Sequence, residues 1–329
     1  MSATASALAF PIAPAVGEPR SPKPLRMLWI TAAYGACFVL IRIGLRDAPV
    51  LWFAALRAIV AGGALLAVAG VQRRPAPSGR RAWGLITVLG LVNVTVAFAA
   101  MFGGVAGLAT GTAAVLSSAQ PLLILLPAWW LYGEAVSGRT AGALVVGFTG
   151  LVLVALPGGG GSGAALSLLA AVAITAGTLL ARRLGGIDAF VAAGWHFVIG
   201  GAGLVVLAAA VEGAPEIAWT PRFVAALAFL ALVGTAATTV VWFIEAGRSR
   251  LDILSAWTFL TPVFGIVLSA AVLGEVPSGW TAVGLVAVLV AMWVVLRPLL
   301  AWRSTRRVGG LARGAGSQPV GPSKAEEQR

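Results

Sequence analysis

The sequence predicts an all-α membrane protein with ten transmembrane helices arranged as two inverted five-helix repeats. Three observations indicate this fold class. Hydrophobic residues make up 59% of the 329 residues and charged residues only 10%, whereas a soluble domain has about 25% charged residues. The apolar residues form stretches of about 20 residues, which is long enough for a helix to cross a bilayer. A segment of the first half also recurs in the second.

Breaks at glycine, proline and charged residues divide the apolar stretches into separate helices. The predicted helices are residues 27–45, 50–71, 82–103, 106–130, 140–156, 164–183, 189–211, 223–245, 253–273 and 280–300. The stretches are apolar throughout and do not alternate with a period of two, so strands of a membrane barrel are not expected.

The predicted organisation has five parts. Residues 1–26 are expected to be a disordered cytoplasmic tail, because they lack the basic start and unbroken apolar core of a signal peptide. Residues 27–156 form the first repeat and residues 164–300 the second, joined by a Gly-rich linker at 157–163. Residues 301–329 are expected to be a disordered basic cytoplasmic tail.

The repeat is visible at a distance of 141 residues. Pro121, Gly133, Glu134, Ser137, Gly138 and Thr140 match Pro262, Gly274, Glu275, Ser278, Gly279 and Thr281. Because each half contains an odd number of helices, the second half enters the membrane upside down relative to the first. An inverted repeat places a site at the midplane between the halves, which opens to either side as the halves rock.

The basic residues predict the orientation. With the N-terminus in the cytoplasm, the inner segments hold Arg20, Lys23, Arg26, Arg73, Arg74, Arg80, Arg81, Arg139, Arg182, Arg183, Arg248, Arg250 and the basic C-terminal tail. The outer segments hold only Arg42, Arg46 and Arg222. The positive-inside rule therefore places both termini in the cytoplasm and the chain in the cytoplasmic membrane. This asymmetry explains the net charge of +12 without a nucleic-acid partner, for which no basic face is present.

The first half reads Tyr34–Phe38 (YGACF), then Leu51–Arg57 (LWFAALR) followed by Ala61-Gly62, and later Pro121 with Gly133-Glu134. In this order the segments resemble an EamA-type member of the drug/metabolite transporter superfamily, over about residues 27–300. The resemblance implies a ten-helix inverted-repeat carrier that exports amino acids, other metabolites or toxic compounds. Where the pattern would repeat the arginine of helix 2, this chain has His196 in helix 7.

The candidate substrate-binding residues are polar or aromatic side chains on helices expected to face the cavity between the repeats. They are Arg57, Tyr34, Asn93, Gln120, Thr175, His196, Thr238, Trp242 and Thr261. Arg57 lies about 10 Å into helix 2. A cation there either reaches the headgroups, bonds carbonyls of a neighbouring helix, or lines a cavity and attracts a carboxylate or phosphate. The neutral residues have an alternative role in hydrogen bonding between helices.

His196 is the sole histidine of the chain. An imidazole changes charge near neutral pH, so His196 is a candidate for coupling transport to protons. The alternative is a neutral imidazole bonded to a neighbouring serine, threonine or carbonyl.

Four residues are candidates for hinges or gates. Pro121 and Pro262 interrupt helices 4 and 9, and each removes a backbone hydrogen bond, which either creates a hinge or leaves a static kink. Glu134 and Glu275 follow these helices and precede the next ones. Such carboxylates either bind the positive start of a helix and its loop amides or form a gate contact with an arginine across the moving interface.

The acidic residues lie only at span ends, in loops or in the tails. No midplane carboxylate is therefore expected for proton exchange against a lipophilic cation, which disfavours a multidrug exporter. One histidine, one cysteine and no buried acid predict no catalytic site, metal or cofactor. The sequence thus predicts a secondary transporter that exports a small metabolite, such as an amino acid or related zwitterion or anion. A passive channel or a flippase for a lipid-linked substrate is the alternative, and the oligomeric state stays open.

Overall fold

The computed structural model describes residues 22–123, 138–155, 161–181, 183–184, 186–246, 257–258, 260–277, 279–280, 282–291 and 293–294. These residues form helices, turns and connecting segments, with no strand in the described part of the chain. Within it, six helices are long and apolar enough to cross a membrane by length and composition. An all-α fold is therefore confirmed for the described residues.

The first half contains α1 (Pro24–Gly44), α2 (Val50–Val71), α3 (Arg80–Gly107), α4 (Thr110–Ser117, continued by Gln120–Leu123) and α5 (Gly138–Ala155). The second half contains α6 (Gly161–Ala181), α7 (Ala189–Val211), α8 (Pro221–Ala228, Phe229–Ala237 and Thr238–Ala246 in succession), α9 (Leu260–Leu273) and α10 (Ala282–Ala291). The residues that would complete the predicted spans of helices 4, 9 and 10 lie partly outside the described ranges.

Local chemistry explains several helix starts. Asp188 caps α7 by accepting hydrogen bonds from the amides of Phe190 (3.0 Å) and Val191 (3.1 Å). Thr220 caps α8 in the same way, with Pro221 at the first helical position. Pro24 has this position in α1, so α1 begins three residues earlier than predicted.

The predicted linker at 157–163 was too long. Residues 161–163 already belong to α6. The glycines of the predicted linker therefore did not mark where α6 begins, because glycine is tolerated within a membrane helix.

Two π-helical segments interrupt otherwise regular α-helices, a feature that the sequence did not predict. They are Leu91–Val96 in α3 and Phe229–Ala237 in α8. A π segment adds a residue to the helical turn and changes which side chains face a neighbouring helix. The two segments lie in the third helix of each half.

Helix α4 is broken, and helix α9 begins, at corresponding points of the two halves. Helix α4 stops at Ser117 and resumes at Gln120, next to Pro121. In the second half, Thr258 is in a turn and α9 begins at Leu260, two residues before Pro262. The prediction of one continuous helix over 106–130 was therefore wrong, because α3 ends at Gly107 and a separate, broken helix follows.

The helices of the two halves pack by a reciprocal pattern. The pairs α2–α7 and α4–α9 join equivalent helices of the two halves. The other cross-half pairs come in matched sets: α3–α6 with α8–α1, α1–α9 with α6–α4, and α3–α7 with α8–α2. Exchanging α1–α5 for α6–α10 thus leaves this set of cross-half pairs unchanged.

Small residues make the α2–α7 contact close. A Cβ at Gly62 would lie 2.8 Å from the backbone nitrogen of Val198, and one at Gly194 would lie 2.7 Å from the Leu66 side chain. Lipid tails are as apolar as leucine, so helix association in a membrane depends on this kind of backbone approach. The α2–α7 contact brings the second turn of α2, which carries Arg57, into the interface between the halves.

Candidate functional site

Arg57 is buried in this interface, with 5% of its surface exposed. Its Nε donates a hydrogen bond to Thr235 Oγ1 of α8 (3.0 Å), and its Nη2 lies 3.7 Å from Cys37 Sγ of α1. Its Nη1 has no hydrogen-bond partner among the residues that the structure describes. The arginine therefore neither reaches the headgroups nor bonds helix carbonyls, the two structural roles that the sequence left open.

Two aromatic rings of α3 lie against the guanidinium. Its central carbon is 4.7 Å from the Phe98 ring centroid and 5.8 Å from that of Phe102. A desolvated cation–π contact of this kind stabilises the charge by about 2 kcal/mol. Among the described residues no carboxylate contacts Arg57. The charge is thus held by rings and neutral groups, which leaves it able to bind an anion.

The π segment of α8 places Thr235 opposite Arg57. Its hydroxyl donates to the carbonyl of Leu230, five residues earlier (2.8 Å). In the same segment Gly234 lies against the Cys37 thiol, whose Sγ is 3.9 Å from the Gly234 carbonyl oxygen. We call Cys37, Arg57, Phe98 and Thr235 the arginine cluster.

Three predicted substrate residues lie beside the arginine cluster. The Tyr34 hydroxyl lies near Thr238, and the Thr238 hydroxyl donates to the carbonyl of Thr235 (3.0 Å). Trp242 packs with Tyr34 against Met27 and Ile30. The structure thus brings Tyr34, Thr238 and Trp242 together on the α1–α8 contact.

The polar residues of α3, α4 and α6 form a second group. Gln120 Nε2 donates to Thr178 Oγ1 (2.8 Å), and the Thr178 hydroxyl donates to the carbonyl of Ile174 (2.9 Å). Asn93, in the π segment of α3, packs on Gly177 of α6. We call Asn93, Gln120 and Thr178 the amide cluster.

Thr175 and His196 have their polar groups satisfied by their own helices. The Thr175 hydroxyl donates to the carbonyl of Ala171 (2.7 Å). Nδ1 of His196 lies 3.3 Å from the carbonyl oxygen of Ala192, and the ring packs on Phe197. Neither side chain has a polar contact with the arginine cluster in the described part of the structure.

Two hydroxyls next to the break in α4 and the start of α9 are buried and have no partner in the described part of the chain. They are Ser117 Oγ, at the end of the first segment of α4, and Thr261 Oγ1, next to Pro262 in α9. An unpaired buried polar group costs about 1–3 kcal/mol. Such a group is stabilised once a ligand or a second conformation supplies a partner. Only the backbone of Pro121 is described, within Gln120–Leu123.

Glu275 links the two halves at one end of the molecule. Its carboxylate accepts hydrogen bonds from the backbone amide of Thr110 (2.5 Å) and from the Ser269 hydroxyl (2.8 Å), and it lies 3.7 Å from Arg42 Nε. It therefore binds the positive start of a helix, α4, which belongs to the other half. Its contact with Arg42 also joins it to α1 of the other half. Glu134, its repeat counterpart, lies outside the described residues.

A second link joins the halves at the same end. Asp47, between α1 and α2, accepts two hydrogen bonds from Arg222 (2.9 and 2.7 Å) and one from Thr220 (3.1 Å). These bonds, chiefly those from Arg222, hold the pKa of the Asp47 carboxyl below its ordinary value. Glu212 caps α2 from the second half by accepting from the amides of Leu51 and Trp52.

The described residues contain no group of three or more histidine, cysteine, aspartate or glutamate side chains that could hold a metal ion. The arrangement around Arg57 can instead bind an oxyanion, because a guanidinium with a free edge matches a carboxylate.

Sequence reasoning missed four members of these groups: Cys37, Thr235, Thr178 and Phe98. Thr235 sits within a uniformly apolar stretch, and only the π segment turns its hydroxyl toward Arg57. Thr178 could have been identified from the repeat, because it lies 141 residues after Cys37. Phe98 gave no signal, since an aromatic ring in a membrane helix is usual.

Comparison with known proteins gives one family. The profile of the EamA-like transporter family matches residues 24–156 and 161–297. A WAT1-related chloroplastic protein of Arabidopsis thaliana is 34% identical over 260 residues, which cover 74% of this chain but 62% of that protein. An uncharacterized transporter of Synechocystis is 29% identical over 289 residues, covering 80% of this chain and 86% of that protein. A crystal structure with 19% identity shares the fold, at a TM-score of 0.61 over 85% of this chain and 97% of that one.

Proposed function

The chain belongs to the EamA-like transporter family, and from that membership we propose that it is a secondary transporter that exports a small metabolite by alternating access. The substrate carries a carboxylate, as an amino acid or a related zwitterion or anion does. Membership of this family and the six long apolar helices make the chain a multi-pass membrane protein.

The observation that carries the proposal is the uncompensated charge of Arg57. A cation away from water is costly and marks a functional site by default. Arg57 has no carboxylate partner in the described part of the chain, and its Nη1 is unpaired. A substrate carboxylate supplies both the missing charge and the missing acceptor. A cationic drug would instead meet a like charge, so a multidrug exporter of cations is not favoured.

The packing supports alternating access. The proposed architecture is ten transmembrane helices in two inverted five-helix repeats, with both termini on the cytoplasmic side of the cytoplasmic membrane. The reciprocal helix pairs, the π segments of α3 and α8 and the breaks in α4 and α9 all recur between the halves. Equivalent halves can exchange roles, so that a site between them faces either side in turn.

The gate in this proposal is Glu275 with Arg42. The carboxylate links α9, α4 and α1 at the end that the orientation places outside, and the side chain is 23% exposed. Breaking these contacts separates the halves at that end. The broken helices next to Pro121 and Pro262 serve as hinges, because the missing backbone bonds let the segments on either side tilt.

Counterflow in proteoliposomes tests the proposal. Purified protein is loaded with an unlabelled amino acid or small carboxylate from a panel, and entry of the labelled compound is measured. We expect at least one carboxylate to show saturable exchange, and the primary amide of the same compound to show none. Flux that rises in proportion to concentration without exchange would identify a channel and contradict the proposal.

A further inference from the structure

The contacts of Arg57 leave only one edge of its guanidinium for a ligand. The ring of Phe98 faces the guanidinium carbon at 4.7 Å, and Nε is bonded to Thr235. Within the described ranges Nη1 is free, while Nη2 has only the weak contact with the Cys37 thiol at 3.7 Å. A carboxylate can therefore approach along the edge formed by Nη1 and Nη2.

This edge is suited to a two-pronged bond. The planar fork of a guanidinium matches both oxygens of a carboxylate, and the pair gains geometric specificity as well as energy. A thiol is a weak acceptor, so an incoming carboxylate displaces Cys37 from Nη2 and pairs with Nη1 at the same time.

Thr235 fixes which edge is presented. Its single hydroxyl proton is directed to the Leu230 carbonyl (2.8 Å), so the oxygen can only accept from Arg57 Nε. The π segment sets this geometry, because the bond spans five residues and not the four of an α-helix. The backbone carbonyl of Thr235 is in turn bonded by the Thr238 hydroxyl.

We propose that Thr235 is a positioning residue that holds Arg57 by Nε, so that the Nη1–Nη2 edge beside Cys37 binds the carboxylate of the substrate. This inference rests on the proposed function. It makes the π segment of α8 part of the specificity of the carrier, since Thr235 touches Arg57 and not the substrate.

Cys37 is a native reporter for this edge, because it is the only cysteine of the chain. The full-length protein in nanodiscs is treated with two thiol reagents, one with a sulfonate (2-sulfonatoethyl methanethiosulfonate) and one with a quaternary ammonium (2-trimethylammonioethyl methanethiosulfonate). The rate of labelling is followed by intact-protein mass spectrometry. The sulfonate is an oxyanion that Arg57 attracts to the thiol, whereas the ammonium is repelled.

We expect the rate with the sulfonate divided by the rate with the ammonium reagent to be about tenfold higher for wild-type protein than for a small free thiol such as 2-mercaptoethanol, as one charge-assisted hydrogen bond allows. Thr235→Val, which keeps the shape but removes the acceptor, should reduce this preference severalfold. Thr235→Ser should restore it. Thr95→Val is the matched control, because the Thr95 hydroxyl bonds the Gly200 carbonyl and has no contact with Arg57.

The outcomes separate the two proposals. A preference that is lost in Arg57→Gln but unchanged in Thr235→Val overturns the positioning role alone. A preference that survives in Arg57→Gln contradicts the proposed function itself. Failure of Cys37 to react with either reagent overturns the inference as well, because an edge that binds soluble anions must be reachable by them.

Discussion

The arginine cluster and the amide cluster occupy equivalent places in the two halves but have different chemistry. Each joins the first helix of one half to the π segment of the other half, α1 to α8 and α6 to α3. At the 141-residue spacing Cys37 corresponds to Thr178, Gly234 to Asn93 and Thr261 to Gln120. Helices α2 and α7 begin at Val50 and Ala189, so Arg57 corresponds to His196, and the amide cluster itself contains no charged residue.

The difference shows how two halves with equivalent backbones come to carry side chains of different charge. The backbone is repeated, with the same π segment and the same break, and the side chains then diverge. A charge on both sides would require two counterions between the halves. One charged and one neutral cluster instead suit a ligand with a carboxylate at one end and neutral hydrogen-bonding groups elsewhere.

Removal of the charge should have the largest effect. We expect Arg57→Gln to raise the KM for carboxylate counterflow roughly 30- to 100-fold, since a hydrogen bond to a charged group contributes about 2–3 kcal/mol. Gln120→Leu removes a neutral bond in the amide cluster and should raise KM only about two- to tenfold. Equal effects of the two substitutions in proteoliposomes would show that the clusters do not differ in role. Arg46→Gln, which changes an exposed arginine, is the control for net charge.

The second-largest effect is expected when a Cβ is added to the glycine that packs against each cluster. Gly234→Ala pushes on the Cys37 thiol, and Gly177→Ala pushes on the Asn93 side chain. Overpacking of this kind costs about 1–3 kcal/mol, so both variants should lose thermal stability. Only Gly234→Ala should also weaken carboxylate exchange, because it displaces a neighbour of Arg57. The comparison fails if Gly177→Ala weakens exchange to the same extent.

A smaller effect is expected from the ion pair of Asp47 with Arg222, which lies outside both clusters. Because the pKa of Asp47 is lowered in the folded protein, its contribution to stability is present above the unfolded pKa of about 3.9 and is lost as the pH falls through the folded pKa. Asp47→Asn should therefore lower the melting temperature near neutral pH by roughly 1–2 °C and show a smaller further loss below pH 4. Melting curves in nanodiscs between pH 7 and pH 3 measure this, and parallel curves for the two proteins would contradict it.

The smallest effect is expected at His196, the basic residue of α7. Its Nδ1 lies against the Ala192 carbonyl and its ring packs on Phe197. We therefore expect His196→Gln to leave the pH profile of counterflow within about twofold of wild type at every pH, since the imidazole is bonded to its own helix and has no polar contact with either cluster in the described part of the chain. A flattened profile would instead assign proton coupling to His196 and give the second half a titratable group of its own.

Much of the fold could be predicted because lipid imposes a simple requirement. Every backbone group in the hydrocarbon must be bonded within its own helix, so apolar length alone locates the spans. The predicted spans of α2 and α7 agree with the structure at both ends. The resemblance to EamA-type transporters, carried by Arg57 and the repeated proline with its Gly-Glu pair, is confirmed by the family match.

The candidate site was predictable only in part. Arg57 was identified because a charge in an apolar span is costly and therefore conspicuous. The partners of Glu275 were not, since Thr110 and Arg42 are 165 and 233 residues away along the chain. Thr175 and His196 matched the pattern of polar residues on cavity-facing helices, yet each is bonded within its own helix. Periodicity does not tell a hydroxyl that faces a cavity from one that bonds the preceding turn.

The sequence by itself determined that the chain is helical, membrane-spanning and a member of a transporter family, because composition and an ordered set of motifs are properties of the chain alone. The tertiary structure decided that Arg57 meets Thr235 and Cys37, and that Asn93 and Gln120 lie with α6. These contacts depend on two π segments and on the close α2–α7 approach, which arise only when helices distant in sequence pack together.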